Sequence, residues 1–448
     1  MIDAVVTGTS LPALQTALDL AEVGVSVAVL CANEQAPAQP WADRDAEGAI
    51  AAFMRRIAEP IDQAAGQRNN AAMPRSIAPQ TIAVRSDGKW QPTSSPAVFG
   101  VPAVPLSSES IGILGTGGAI RAYLDRIRPL LTVGKTRFYG TLVRTRVGAK
   151  ALDRLAEPQL RERFGVGADD VEVMVVAPGL NEALSRHGAL TSAVLAYAER
   201  NVARETQVAP AGSAQEFFDA ALLRLRNYGV QMLEGELATA EARDTDWVIT
   251  TSLGETIEAR ALVADFAENP LAPAPLEPLV GAVAPSEARL YAEIDMKAES
   301  LPEEGMVGIA SLGSWSLRSV ANPGGEAPRN SVNGSAASLL SSSVNDVTVL
   351  ADELKELLRH GKPPVANVVD PDGLLGGAVL VSAGLSAAPY RSTDSHDEAR
   401  AVLADLIETQ PTLLPVGRAI HGDDQASAMQ AAHEAAVHLR RRLLGLEE

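Results

Sequence analysis

A single cysteine, Cys31, in 448 residues leaves no partner for an internal disulfide, and no Cys/His grouping has zinc-ligand spacing. A reducing, cytoplasmic location is the expectation. Aromatic residues are scarce at 4%, and basic residues number 38 against 56 acidic ones, giving a formal net charge of -18 at pH 7. The average field of such a chain repels phosphate backbones and anionic headgroups, which argues against a nucleic-acid partner. Long apolar runs are missing as well. Nothing approaches the ~18–20 uninterrupted apolar residues of a spanning helix, so no transmembrane segment is expected, and no basic stretch precedes the first apolar one as in a secretory leader. The smoothest stretch, LLGGAVLVSAGLSAAPY at 374–390, is interrupted by glycine and reads as a buried strand.

What is present is globular composition, 46% hydrophobic and 21% charged, in a chain long enough for two or three domains. Residues 7–31, TGTSLPALQTALDLAEVGVSVAVLC, follow an apolar run and read as turn, helix and strand. Leu11, Leu14, Leu18 and Ala21 recur at helical spacing, Gly24 ends the helix, and Val25, Val27 and Val29 alternate as in a strand. A parallel β-α-β crossover follows from that order. Residues 33–80 are rich in Ala, Pro and Gln, with one helical stretch at 50–57, and read as surface chain. At 81–103 a hairpin is expected around Asp87-Gly88. Helical patterns dominate 118–203. From 212 to 266 the signals return to α/β: a helix at 214–227, the strand-like VQMLEGE, two strands around Gly254 and a further apolar run at 261–266. A last helix is expected at 426–444.

The turn after the first strand carries the chemistry. A dinucleotide site needs glycines there, because the pyrophosphate lies against backbone N–H groups at a helix N-terminus. Against the G-x-G-x-x-G spacing this chain has Gly8, Ser10 and Ala13. The tight-turn glycine is kept, the close-approach glycine has become Ser10, and the change to Ala13 is one the fingerprint tolerates. The second strand should end on an acid for the ribose hydroxyls; Cys31 stands there, a weak hydrogen-bonding group, with Glu34 three residues on. Either a bound nucleotide or a doubly wound sheet that keeps only the shape fits this pattern.

Several separate segments resemble the protoporphyrinogen/coproporphyrinogen oxidases of the FAD-dependent amine oxidase superfamily, in matching order. VRSDGKWQPTSSPAVFGVP (84–102) resembles the hairpin before that family's helical substrate domain. RLAEPQLRERFGVGADDVEV (154–173) resembles its "VEPLLGGVYAGD"-like run, with Glu157-Pro158 and Gly167-Ala168-Asp169 kept and Arg161, Glu162 and Arg163 in place of the glycines. PAGSAQEFFDAALLRL resembles a "GGMxxLxxAL" turn with one glycine lost, ARALVADF a "VVLATP" strand, and SAAPYR an "ALPQY" element with Pro389 and Tyr390 kept.

The resemblance implies an α/β fold in which a Rossmann-like FAD/NAD(P)-binding domain is joined to a substrate domain with a mixed sheet and a helical part. It implies a discontinuous FAD domain over 1–80, 204–282 and 411–448, and a substrate domain over 81–203 and 283–410, helical at about 104–203. The implied activity is an oxidoreductase that moves hydride from a porphyrinogen-like small molecule to FAD, as in heme biosynthesis. Carried over by position, Gly8, Ser10 and Ala13 face the pyrophosphate and Cys31 the ribose, and Gly422 and Asp423 match the family's terminal glycine-acid element beside flavin or diphosphate. The chain departs from the pattern at Ser10 and Cys31, and CANEQAPAQPWADRDAEG lacks the paired-glycine loop expected after the second strand. Those departures keep open a catalytically inactive, FAD-poor homologue that binds a tetrapyrrole or a partner subunit, and a reassigned enzyme without flavin. No catalytic residue is singled out. The six histidines read as solvated, Asp423 and Asp424 as partners of a helix start, Gly115-Thr116-Gly117-Gly118 as a loop opening a helix, and a homo-oligomer stays open.

Overall fold

The computed structural model describes residues 2–36, 41–60, 66–77, 79–128, 136–201, 206–243, 246–266, 288–313, 315–320, 329–335, 373–387, 390, 392–421 and 425–446. They form two compact units: Met1–Ala78 with Arg204–Ala288 and Asp394–Glu448, and Pro79–Ala203 with Arg289–Thr393. Residues 394–410, assigned above to the substrate domain, cluster with the first unit, since the helix Thr393–Thr409 leads directly into that unit's strand Leu413–Val416.

The first unit is built on a seven-stranded sheet. Strand β1 (Ile2–Thr7) runs parallel to β2 (Val27–Cys31) on one side and to Thr256–Asp265 on the other. Gln231–Glu234 extends the parallel set beyond β2, and Leu413–Val416 pairs parallel with the far half of Thr256–Asp265. The hairpin Leu237–Ala242 and Trp247–Thr251 completes the sheet in antiparallel sense. Helix α1 (Leu11–Ala21) is the β1–β2 crossover, and every one of its residues is buried. Its all-round burial follows from its place between the sheet and other helices, which include Ala49–Ala58, Ala214–Asn227 and Gln425–Leu443. Across those helices Asp19 of α1, its side chain 3% exposed, meets Arg56 Nη1 at 2.7 Å and His433 Nδ1 at 2.7 Å.

Two expectations change here. Among the described residues of 33–80, parts join the core: Trp41, Phe53 and Ile57 are buried, Phe217 stacks edge-on with both Trp41 and Phe53, and Asp43–Arg44 and Pro74–Ile77 flank Gln207–Pro210 in a small sheet, while 33–35 and 66–70 are exposed. Phe53 and Ile57 belong to Ala49–Ala58, the helix expected at 50–57, and Trp41, which has no regular period around it, joins the same core. The run expected as two pieces, at 256 and 261, is a single ten-residue strand, Thr256–Asp265, whose central position explains its continuous apolar half.

The second unit pairs seven strands in the order Val379–Ala387, Ala288–Asp295, Arg329–Ser335, Trp315–Val320, Met306–Leu312, Thr81–Ser86, Lys89–Pro92. The Asp87-Gly88 turn is left-handed at both residues (φ 50° and 72°), the geometry of a two-residue hairpin. Residues 379–387 are the outermost strand, with Val379 and Val381 63% and 58% exposed, so the stretch read as a buried strand is an edge. Helices from Ser108 to Asn201 form the rest; Gly115 (φ 70°, ψ 162°) breaks the first of them rather than opening it. Fully buried Tyr139 anchors that layer by donating to Val98 O at 2.7 Å. No helix among the described residues is long and apolar enough to cross a membrane.

Candidate functional site

In open parallel sheets ligands bind beyond the carboxyl ends of the strands. At that edge of the first unit lie the β1–α1 turn, the end of β2, Asp265 at the end of its strand, and the start of Gln425–Leu443.

The turn closes on a side chain of the protein itself. Ser10 N–H donates to Asp265 Oδ2 at 3.1 Å and Ser10 Oγ–H donates to Asp265 Oδ1 at 2.9 Å, while the Asp265 N–H donates to Thr7 Oγ1 at 3.1 Å. Ser10, 2% exposed, is also the N-cap of α1, its Oγ accepting from Ala13 N–H at 3.3 Å. Gly8 has φ 124°, and a Cβ there would stand 2.6 Å from Asp265 Oδ2 and 2.9 Å from Asp265 Cβ. The retained glycine therefore makes room for Asp265.

The donors a pyrophosphate would use can be counted. Ser10 N–H is engaged by Asp265 and Ala13 N–H by Ser10 Oγ; Pro12, in the first turn, has no N–H. Of the first-turn amides Ser10 to Ala13 the Leu11 amide remains outside these contacts, and a carboxylate stands in front of the turn where a second anion would be repelled.

The other expected contacts are displaced too. Cys31, 7% exposed, donates its thiol to Asn33 O at 2.6 Å, and burial pushes its ionisation upward. Glu34 turns to Arg226 as an ion pair, and Gln215 ties down the same loop, donating to Glu34 O at 3.0 Å and accepting from Ala36 N–H at 2.9 Å. Gly422 and Asp423 lie outside the described residues. The first described residue of the last helix, Gln425, donates its N–H to Asp43 Oδ2 at 3.1 Å; Asp43 is 5% and Gln425 2% exposed. Gln425 Nε2 is buried without a hydrogen-bond partner among the described residues.

The structure thus brings Gly8, Ser10 and Ala13 together at one turn, puts Cys31 at the end of the neighbouring strand, and adds Asp265 and Asp43, which sequence reasoning missed. Asp265 closes an apolar run as the one charged residue of ALVAD, a visible signal with no local hint of its partner. These residues do not fit a dinucleotide diphosphate at the α1 turn. Among the described residues no group of His, Cys, Asp and Glu has the arrangement of a metal site. His421 sets Nε2 3.3 Å from Pro415 O, a contact within its own segment.

Order and direction of the strands define an α/β protein with a Rossmann-type sheet. No protein-family model and no curated protein matches the sequence. Solved structures do match. A protein from Exiguobacterium sp. 255-15, provisionally named a protoporphyrinogen oxidase, is similar over 98% of this chain and 99% of its own, with TM-score 0.65 and 12% identity. An oxidoreductase from Methanosarcina mazei is similar over 97% and 100%, with TM-score 0.54 and 12% identity. Cyclohexylamine oxidase from Brevibacterium oxydans IH-35A is similar over 99% of both chains, with TM-score 0.51 and 12% identity. Likeness of this kind establishes a shared fold, and function has to be argued from the site.

Proposed function

We propose that this chain is a flavin-free homologue of the porphyrinogen oxidases, a binding protein on an oxidase scaffold. One observation carries the reading: the Asp265 carboxylate occupies the front of the α1 turn and takes both the amide and the hydroxyl of Ser10. A protein using FAD needs those first-turn donors, and an anionic side chain there opposes the diphosphate by charge and by space. The ligand class argued for is a tetrapyrrole, because the segments resembling porphyrinogen oxidases lie in both units and run collinearly with that family.

A second reading, an FAD-dependent oxidoreductase acting on a porphyrinogen, has one feature in its favour: the Gly8 turn and the β-α-β unit are intact in a chain that matches the oxidase fold end to end. An absorption spectrum of the purified chain, repeated after adding FAD and then a porphyrin, separates the two. The flavin-free reading expects no flavin bands, no shift of free FAD, and a displaced porphyrin band with saturable titration. Stoichiometric yellow protein, or tight uptake of FAD, sinks it in favour of the second.

A further inference from the structure

Among the described residues two long helices start at the carboxyl edge of the parallel sheet, α1 after β1 and, beyond the single turn Arg418–His421 that follows Leu413–Val416, Gln425–Leu443. A helix start presents unpaired N–H groups and about half a positive charge, which favours an anion. In this chain each start already has one, and each comes from far away along the sequence. Asp265 reaches the α1 turn across 255 residues, and Asp43 reaches Gln425 N–H across 382. Local capping would use the residue just before the helix; here Ser10 does that for α1, and Asp265 is added on top of it.

Resting on the flavin-free reading, we infer that Asp265 and Asp43 are resident counter-anions: their carboxylates neutralise the two helix starts in place of a dinucleotide diphosphate, and Asp265 excludes phosphate from the α1 turn. Three features of the turn belong to this arrangement. Gly8 is without a Cβ where one would collide with the Asp265 side chain at 2.6 Å. Ser10 donates to both carboxylate oxygens, a two-point grip that a glycine at this position lacks. Thr7 Oγ1 accepts the Asp265 N–H, which holds the end of the strand against the turn. At the second start Gln425 Nε2 is a buried donor without a hydrogen-bond partner among the described residues, while the backbone N–H of the same residue engages Asp43. The edge therefore keeps the donors of an anion site and supplies the anion from within.

It follows that removing the Asp265 carboxylate uncovers a phosphate site. The probe is inorganic pyrophosphate, compared with sodium chloride at equal ionic strength so that general screening cancels. Thermal melts of the full chain are expected to show a wild type whose midpoint pyrophosphate leaves where the chloride control does. Asp265→Ala melts lower and recovers part of the loss saturably with pyrophosphate, as a ligand binding the native state alone requires. Asp265→Asn keeps the shape and an acceptor for Ser10 N–H; it folds if Asp265→Ala does not, and equilibrium dialysis then reads at least a tenfold gain in pyrophosphate affinity over wild type. A folded variant with the pyrophosphate response of the wild type overturns the inference. So does a wild type that itself binds pyrophosphate as well as the variant. Failure of the flavin-free reading looks different: the unaltered chain takes up FAD, whatever the variants do.

Discussion

Asp125 in the second unit and Asp265 in the first are both carboxylates set against the first turn of a helix, yet they are held differently. Asp125 is fully buried; its Oδ2 accepts Leu190 and Thr191 N–H at 2.5 and 3.2 Å at the start of Leu190–Asn201, and its Oδ1 lies 2.6 Å from Arg146 Nε, itself 7% exposed. Asp265 sits half-buried at the sheet edge, with an amide and a hydroxyl of Ser10 as donors. The first is an interior ion pair that ties three segments of one helical layer together, in a place no ligand reaches. The second stands where ligands of this fold approach. A carboxylate at a helix start is thus a packing element in one setting and a competitor for ligand space in the other, and the surroundings decide which.

The widest difference between the two should appear on deletion. Asp125→Ala leaves the buried Arg146 guanidinium without its counter-charge and uncovers two N–H groups, so a loss of about 3–5 kcal/mol is expected. Urea denaturation measures it through the midpoint at constant slope. Ser10→Ala removes the cap of Ala13 N–H and the hydroxyl donor to Asp265, and should cost roughly 1 kcal/mol, within the range for such caps. If the two losses come out equal, the contrast between an interior pair and an edge contact fails. A Ser10 loss well above that of an ordinary cap would instead mean that the grip on Asp265 stabilises the whole edge.

Much of the frame was legible in the residues. The β1–α1–β2 crossover follows from helical spacing ending in an alternating valine run, the second-unit hairpin from Asp87-Gly88, and the helix expected at 214–227 stands at Ala214–Asn227, where the structure adds a reciprocal capping box between Ser213 and Glu216. Within 33–80 the helix at 50–57 is legible from the spacing of Ile50, Phe53 and Ile57, whereas the burial of Trp41 is not, because it comes from Phe217 far along the chain. The erosion of the turn was readable at Ser10 and Cys31. Its replacement was not, because Asp265 and Asp43 act across 255 and 382 residues, and no local pattern says which helix start a distant carboxylate will meet.

A third carboxylate tests the comparison at its mild end. Glu172, 2% exposed, takes Arg137 Nε and Nη2 at 2.9 and 2.8 Å on Oε1, and the Thr393 N–H and hydroxyl at 3.0 and 2.5 Å on Oε2. Burial by itself pushes its ionisation upward, but the Thr393 hydrogen bonds and the Arg137 pair outweigh it and hold the carboxyl below its ordinary value near 4.5. A group lowered in the folded state contributes stability that is complete above that ordinary value and is lost as pH falls through the lowered one. Unlike Arg146, the Arg137 side chain is 54% exposed, so water and salt screen its share, and Arg137→Gln should cost less than about 1 kcal/mol at neutral pH. The expected signature is an acid-unfolding midpoint that moves to higher pH in Arg137→Gln, by an amount that shrinks as salt is added. Asp125→Ala, with its cation buried, should show a loss that salt hardly changes. Equal salt sensitivity in the two variants would mean that depth of the arginine does not separate these pairs.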